Sequence, residues 1–457
     1  MALDIIILAA GQGKRMYSQM PKVLHPVGHL SLLEHVYNTA GKLKPDNIWV
    51  VYGHGGAQVK TAMQHLDVRW IEQAEQCGTG HAVAQVSGYL SDDNTVLVLY
   101  GDVPLISDHT LQRLLSLGDT ASGLNLLTIT MPDPVGYGRI LRTDDGWVIG
   151  IVEEKDASFE QKSIQEVNTG ILCTRGKLLK QWLTRITNKN QQAEYYLTDI
   201  VAMAATDGVS INTTAPGSLT EVLGVNNRQQ LANLERAYQL QQADNIMMAG
   251  VSLRDPARFD LRGEIKALGR DVEMDINVLL EGAIVLGDRV KIGPNVVIRN
   301  SSIGHDTEIL ANSIIEDSVV GSGCRVGPFA RIRPDTRLSD HVHIGNFVEI
   351  KKSCIGDGSK VNHLSYIGDT DMGAGVNIGA GTITCNYDGV NKHKTIIEDD
   401  AFIGSDTQLI APVSVGKNAT IGAGSTITKD VQGDALTLSR TEQKTYSGWK
   451  RPLKQGN

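Results

Sequence analysis

Apolar residues arrive in two different rhythms along this chain, and the change falls near residue 250. In the first part, unbroken runs at 5-9, 48-52 ("IWVVY") and 96-100 ("VLVLY") have the length and character of strands covered on both faces. Between them the spacing is helical: Leu32, Leu33, Val36, Ala40 and Leu43 share one face, as do Val59, Ala62, Met63 and Leu66. This alternation, up to about residue 226, predicts an open α/β sheet of Rossmann-like type. Each run ends in a glycine-bearing loop, "AAGQG", "YGHGG" and "YGDVP". Such sheets bind ligands at the carboxyl ends of their strands, so three site loops are expected on one edge.

The stretch 227-250 reads as one helix linking two domains: no proline or glycine interrupts 227-249, and Leu231, Leu234, Tyr238 and Asn245 keep helical spacing. From 251 the rhythm becomes sixfold. Glycines at 287, 293, 304, 321, 327, 345, 356, 368, 379, 404, 416 and 422 are separated by multiples of six, give or take one residue. This predicts a hexapeptide β-helix over 251-437, with aliphatic residues pointing inward and glycines turning the corners. The regular Ile and Val exclude a disordered glycine-rich tract. The longest step, from Gly379 to Gly404, contains "CNYDGVNKHK", too polar for a coil face and expected to project as a loop. A tail, 438-457, follows.

Composition agrees with this division. A chain of 457 residues holds two or three domains, and 48 glycines against 5% aromatics suit a solenoid of small side chains. A net charge of -8 argues against nucleic acid or an anionic membrane as a general partner. Five scattered cysteines without a C-x-x-C pair indicate a reducing compartment rather than a disulfide or zinc framework. The apolar start is no signal peptide, since Asp4 stands where a basic region belongs, and no run is long enough to span a membrane. A cytoplasmic location is expected.

The first loop, "LAAGQGKRM" (8-16), narrows the chemistry. Lys14 is followed by Arg15 rather than Ser or Thr, which excludes a Walker A loop, and Met16 replaces the third glycine of a dinucleotide fingerprint. Two glycines allow backbone N–H groups to approach an anion, and the added cations suit a reacting phosphate. Asp102, at the end of the third strand, reads either as an oxygen donor for Mg²⁺ or as a helix cap. In "NHLSY", His363 is a candidate general base. Cys385, beside Asn386 and Tyr387, leaves open a route through a cysteine thioester.

"LAAGQGKRM", "PKVLHPV", "QCGTGHAV" and "YGDVPL" together resemble the sugar-nucleotidyltransferases, and the sixfold repeat resembles the hexapeptide acyltransferases. With "GYGRI", "NTGI", "EYYLTD", "GVNNR", "GHLSYIGD", "NIGAGTITCNYDG" and "GSDTQLIAPV", the chain is similar to the family of bacterial bifunctional N-acetylglucosamine-1-phosphate uridylyltransferase / glucosamine-1-phosphate N-acetyltransferases. The resemblance implies a left-handed parallel β-helix, a homotrimer, Mg²⁺, UTP and acetyl-CoA, and a product that feeds cell-wall and lipopolysaccharide synthesis.

It also implies residue roles. Arg15 and Lys22 would be catalytic at the first site. Leu8, Ala9, Ala10, Gly11, Gln73, Gly78, Thr79, Tyr100 and Gly101 would hold the nucleotide. Gly138, Glu153 and Asn168 would hold the N-acetylated sugar, and Asp102 and Asn226 the metal. At the second site His363 would be the base, and Arg333, Lys351, Tyr366 and Asn377 would bind glucosamine 1-phosphate. Ala380, Asn386, Tyr387, Ser405, Ala423 and Arg440 would line the acetyl-CoA site, with direct transfer from the thioester. Two other readings are a uridylyltransferase whose solenoid is only a scaffold and a non-enzymatic regulatory module. "GHLSYIGD" and "CNYDG" argue against the first; Arg15, Lys22 and Asp102 argue against the second.

Overall fold

A computed structural model describes residues 2–53, 55–118 and 123–452. The chain divides into two compact units, Met1–Tyr238 and Gln239–Asn457. No helix among the described residues is long and apolar enough to cross a membrane.

In the first unit, the strand Leu3–Ala9 lies between Asn47–Tyr52 and Thr95–Tyr100 and is parallel to both, with Ile5 level with Ile48 and Leu97. Arg69–Glu72 extends the sheet on one side. On the other, Glu166–Arg175 runs antiparallel to Thr95–Tyr100 and to Gly123–Thr130, so the sheet is mixed. Ile5 and Ile7 face one helical layer with Leu33 and Val36, and Ile6 faces the opposite layer with Val83 and Trp182. Burial on both faces explains why these runs lack alternation.

The helix Leu32–Lys42 starts at Ser31, whose hydroxyl accepts from Glu34 N while the Glu34 carboxylate accepts from Ser31 N, a reciprocal cap. The second expected helix is shorter than its apolar spacing suggested. It covers Gly56–Ala62, and Met63 and Leu66 reach the core from the turn beyond it.

The helix Arg228–Met248 contributes to both units. In the first, Leu234 is buried with Met16, Val27, Leu32 and Val225. In the second, Ala243 and Ile246 join the β-helix core, and the Gln239 amide exchanges two hydrogen bonds with the Leu261 backbone, 2.7 and 3.1 Å.

The second unit is a parallel β-helix. One face is an eleven-stranded parallel sheet and the other two form a seventeen-stranded one. Up the first face Ile292, Ile309, Val326, Ile344, Val361, Ile378, Ile403 and Ile421 stack in register, each nearly sealed from solvent.

The glycines do not turn the corners as expected. Of the twelve, only Gly327 has a positive φ. Most of the others sit where adjacent coils touch: a Cβ on Gly304 would lie 2.5 Å from the Gly321 carbonyl carbon, and one on Gly356 would lie 2.4 Å from that of Gly373. Left-handed corners fall mostly to Asn and Asp, such as Asn295, Asn300, Asp306, Asn312 and Asp317, whose short polar side chains tolerate that conformation.

The polar insertion projects as expected. His393 N donates to Asn386 O at its base (2.8 Å). At its tip, Asp388 accepts from Val390 N, Asn391 N and the His393 ring, which holds its carboxyl well below the usual range. The last strand, Leu436–Thr437, pairs with Thr420–Ile421. Residues 438–452 carry no helix or strand, and 453–457 of the expected tail lie outside the described residues.

Candidate active sites

Two of the three expected loops, "AAGQG" and "YGDVP", meet at a cavity; the described residues of "YGHGG" do not line it, and the segment 73–79 takes that place. The cavity, of about 500 Å³, is lined by Leu8, Ala9, Ala10 and Gly11 from the first loop region, by Gln73, Gly78 and Thr79, and by Tyr100, Asp102 and Lys22. Gly13 has φ 60°, and a Cβ there would lie 2.9 Å from Lys22 Cβ; its absence lets the lysine stem cross the loop. Both Lys14 and Arg15 are exposed, but only Lys14 lines the cavity. Both belong to the short turn Lys14–Met16, in which neighbouring side chains diverge. Gln12, Gln76 and Glu194 also line it without having been expected. His54 of "YGHGG" lies outside the described residues. A larger cavity, about 700 Å³, runs beside Pro294 and Pro328 in the β-helix and holds none of the expected residues.

At the cavity floor, Lys22 Nζ donates to Asp102 Oδ2 and lies 3.4 Å from Asn226 Oδ1. Val225 N donates to Asp102 O (2.9 Å) and Asn226 N to Gln230 Oε1 (2.8 Å), so the two backbones are tied together. Asp102 is not the helix cap: Ser107 caps Asp108–Leu115 by accepting from Thr110 N at 3.1 Å. A carboxylate and an amide oxygen therefore converge on one cation. Among the described residues no group of three or more His, Cys, Asp or Glu could hold a metal. Two oxygen donors leave most positions of a Mg²⁺ ion to phosphate and water, the usual arrangement for that ion.

Gly138, Glu153 and Asn168 are brought together. Asn168 N donates to Gly138 O (2.8 Å), and a Cβ on Gly138 would lie 3.4 Å from Glu153 Oε2. Glu153 Oε1 accepts from Thr198 Oγ1 (2.8 Å). Burial pushes the Glu153 carboxyl above its usual range, and Asp199, Asp156 and Glu194 push the same way. Tyr100 connects this pocket to the cavity floor, its hydroxyl raised by burial and then by the Glu153 and Asp102 charges. Gly170, with φ 84°, makes room: a Cβ there would lie 2.5 Å from the Tyr100 ring. Gly101 N bonds to Leu8 O (2.9 Å), fixing the third loop against the first strand.

In the β-helix, Arg333 and Lys351 lie on adjacent coils, since Ile332 is level with Ile350, and Glu349 pairs with Arg333 at 2.6 Å. A Cβ on Gly368 would lie 2.5 Å from Tyr366 Oη and 2.9 Å from Asn386 Nδ2, so these two polar groups converge over the bare glycine. Lys392, from the projecting loop, approaches Lys351 closely enough for its ammonium pKa to fall. Sequence reasoning missed Glu349 and Lys392; the clustering of cations around one small patch appears only when the coils stack. His363 is exposed, with Nδ1 3.2 Å from Asn346 Oδ1 one coil below. Asn377 pairs with Lys360 on the same face.

Ala380, Ser405, Ala423 and Arg440 rise along one corner. Asp406 N donates to Ala380 O (2.7 Å), Gly424 N to Ser405 O (2.8 Å), and Arg440 Nη1 to Ala423 O (3.0 Å). Asn386 bonds to Asp369 at the loop base, and Tyr387 bridges to Lys392. Among the described residues no hydrogen bond or ion pair joins Arg333, Lys351 or Tyr366 to Ser405, Ala423 or Arg440. Burial pushes the Cys385 thiol up, away from the thiolate that a covalent route requires.

Comparisons with known proteins coincide with this layout. Residues 5–130 match the MobA-like NTP transferase domain, 267–344 the GMPPB C-terminal domain, and 394–429 the bacterial transferase hexapeptide repeat. The bifunctional protein GlmU of Methylococcus capsulatus is 61% identical over 454 residues, covering 99% of this chain and 98% of the relative. The chain belongs to the bifunctional GlmU family. Both expected units are thus GlmU units, and neither the scaffold nor the regulatory reading survives. Among solved structures, a Bacillus anthracis chain assigned as a glucose-1-phosphate thymidylyltransferase is 19% identical with a TM-score of 0.41, covering 51% of this chain and 94% of its own. A nucleotidyl transferase from Methanothermobacter is 17% identical with a TM-score of 0.37, covering 55% and 99%.

Proposed function

We infer that the β-helix unit acetylates glucosamine 1-phosphate with acetyl-CoA, and that the α/β unit then transfers UMP from UTP to the N-acetylglucosamine 1-phosphate, releasing pyrophosphate. The observation that carries the nucleotidyl half is the convergence of Lys22, Asp102 and Asn226 at the floor of the cavity. The sugar phosphate oxygen attacks the α-phosphorus, and catalysis is alignment plus stabilisation of charge on phosphate oxygens. Asp102 and Asn226 would hold Mg²⁺, which supplies charge neutralisation at the triphosphate. Lys22, Lys14 and Arg15 supply cations from one loop region, and Gly138, Glu153 and Asn168 hold the acetylated sugar.

At the second site, His363 takes a proton from the amine, which attacks the thioester carbonyl and expels the CoA thiolate. Arg333, Lys351 and Lys392 meet the phosphate; Tyr366 and Asn377 hold the sugar. Ala380, Asn386, Tyr387, Ser405, Ala423 and Arg440 form a wall for acetyl-CoA that approaches the sugar residues where Asn386 and Tyr366 converge over Gly368. A homotrimer, in which one subunit's acetyl-CoA residues face another's sugar site, is the assembly we propose for this hexapeptide β-helix. We take residues 1-226 and 251-437 as the two catalytic domains, joined by 227-250, working in the cytoplasm.

The test supplies glucosamine 1-phosphate, acetyl-CoA, UTP and Mg²⁺ and measures thiol and pyrophosphate separately. Both should appear. Pyrophosphate alone, from N-acetylated substrate, would overturn the assignment of acetyl transfer to the β-helix unit.

A further inference from the structure

Arg139 is 1% exposed, yet it carries a guanidinium into a part of the α/β unit where an apolar side chain would avoid the desolvation cost. Its Nη2 pairs with Glu154 Oε2 at 2.6 Å and lies 3.5 Å from Lys162 O, Nη1 donates to Tyr137 O, and the buried Nε has no partner among the described residues. The charge-assisted bond to Arg139 holds the Glu154 carboxyl below its usual range. What a guanidinium adds that a methionine cannot is direction: several fixed N–H vectors from one rigid plane.

The two closer of those attachments are chain neighbours of residues placed at the sugar. Tyr137 precedes Gly138 and Glu154 follows Glu153. The Arg139 backbone is level with Val167, which precedes Asn168, and with Val152, which precedes Glu153. Glu154 Oε2 also accepts from Gly136 N at 3.3 Å, closing the loop 136–138 onto the turn after Val152.

We propose that Arg139, with Glu154 as its counter-ion, is a positioning residue for uridylyl transfer: it touches no substrate but fixes the mutual spacing of Gly138, Glu153 and Asn168, and so sets the fit of the N-acetylated sugar phosphate while leaving the nucleotide half of the cavity alone. The inference rests on the reading that those three residues hold the sugar.

The test is steady-state kinetics of full-length Arg139→Met, Arg139→Lys, Glu154→Gln and, as a check on the underlying reading, Glu153→Gln. Arg139→Met should raise KM for N-acetylglucosamine 1-phosphate about tenfold to a hundredfold, the scale of a displaced binding group, with KM for UTP and the acetyl-transfer rate unchanged. Arg139→Lys should recover part of the loss, and Glu154→Gln should show the same selective rise in smaller measure. Equal rises in both KM values, or a lowered melting temperature with both KM values unchanged, would overturn the proposal. If Arg139→Met does not fold, Glu154→Gln, which leaves the guanidinium in place, decides by the same split. If Glu153→Gln leaves the sugar KM unchanged, the sugar-pocket reading fails and this inference with it; if Glu153→Gln raises that KM and Arg139→Met does not, only the positioning role fails.

Discussion

Lys22 Nζ and Asp102 Oδ2 form an ion pair in which the side chains are only 12% and 17% exposed. A carboxylate so enclosed already has a cation, and the proposed Mg²⁺ would share it with the lysine proposed to meet the phosphates.

Chelation should therefore divide the two activities. EDTA should stop pyrophosphate release and leave thiol release intact, because the proposed ligands Asp102 and Asn226 both lie in the α/β unit. Lys22→Ala should lower the pyrophosphate rate by about 10²- to 10³-fold, the usual effect of losing one charge-stabilising donor. Equal loss of both activities on chelation would show that the metal is wrongly assigned.

His363→Ala should slow acetyl transfer by about 10²- to 10⁴-fold, with pyrophosphate release from supplied N-acetylglucosamine 1-phosphate unchanged. Cys385→Ala should keep most acetyl transfer, since burial disfavours its thiolate. Trapping of acetyl label on the protein in the absence of sugar would reverse this assignment.

Glu153 links function to pH. Its carboxyl titrates higher in the folded chain than its ordinary 4.5, so the folded state binds the proton more tightly. Below that ordinary value both states are protonated and burial costs nothing extra; as pH rises through the folded pKa, stability is lost. Glu153→Gln should thus melt higher than the parent at pH 7, with the gap closing toward pH 4, while sugar binding weakens. Melting curves at both pH values check this.

Truncation should follow the packing. A 1-226 fragment loses Leu234, buried against Met16, Val27 and Leu32, and should melt below a 1-238 fragment; Leu234→Ala in the full chain should cost about 2–5 kcal/mol. The 251-457 fragment should sediment as a trimer. A monomer with full acetyltransferase activity would exclude a site shared between subunits.

Coil stacking predicts opposite behaviour for two neighbouring glycines. Gly358 has φ 67° and open space, whereas Gly356 has ordinary φ and backbone 2.4 Å from its missing Cβ. Gly358→Asn should be nearly neutral, since Asn tolerates that conformation. Gly356→Asn should destabilise by about 3 kcal/mol or more. Thermal unfolding of the pair distinguishes them.

The sequence periodicities carried the architecture because strand runs and hexads are local. Ile5–Ile7 and the inward ladder from Ile292 to Ile421 are legible by counting. The reason for the glycines was not legible, since contact between Gly304 and Gly321 depends on coil height rather than on local turn chemistry. The same limit hid Lys14 behind Arg15, as spacing cannot say which of two adjacent cations a tight turn aims inward. Arg139 gave no signal at all; a charged residue in "GYGRI" reads as surface until the fold encloses it.

In the β-helix each coil bonds only to the coils above and below, and the wall made by Ser405, Ala423 and Arg440 belongs to its final windings. Such a spring loosens from its free end inward. Gentle heating should uncoil the wall proposed for acetyl-CoA before the inner coils, so a warmed enzyme should lose acetyl transfer ahead of a full unfolding of the β-helix.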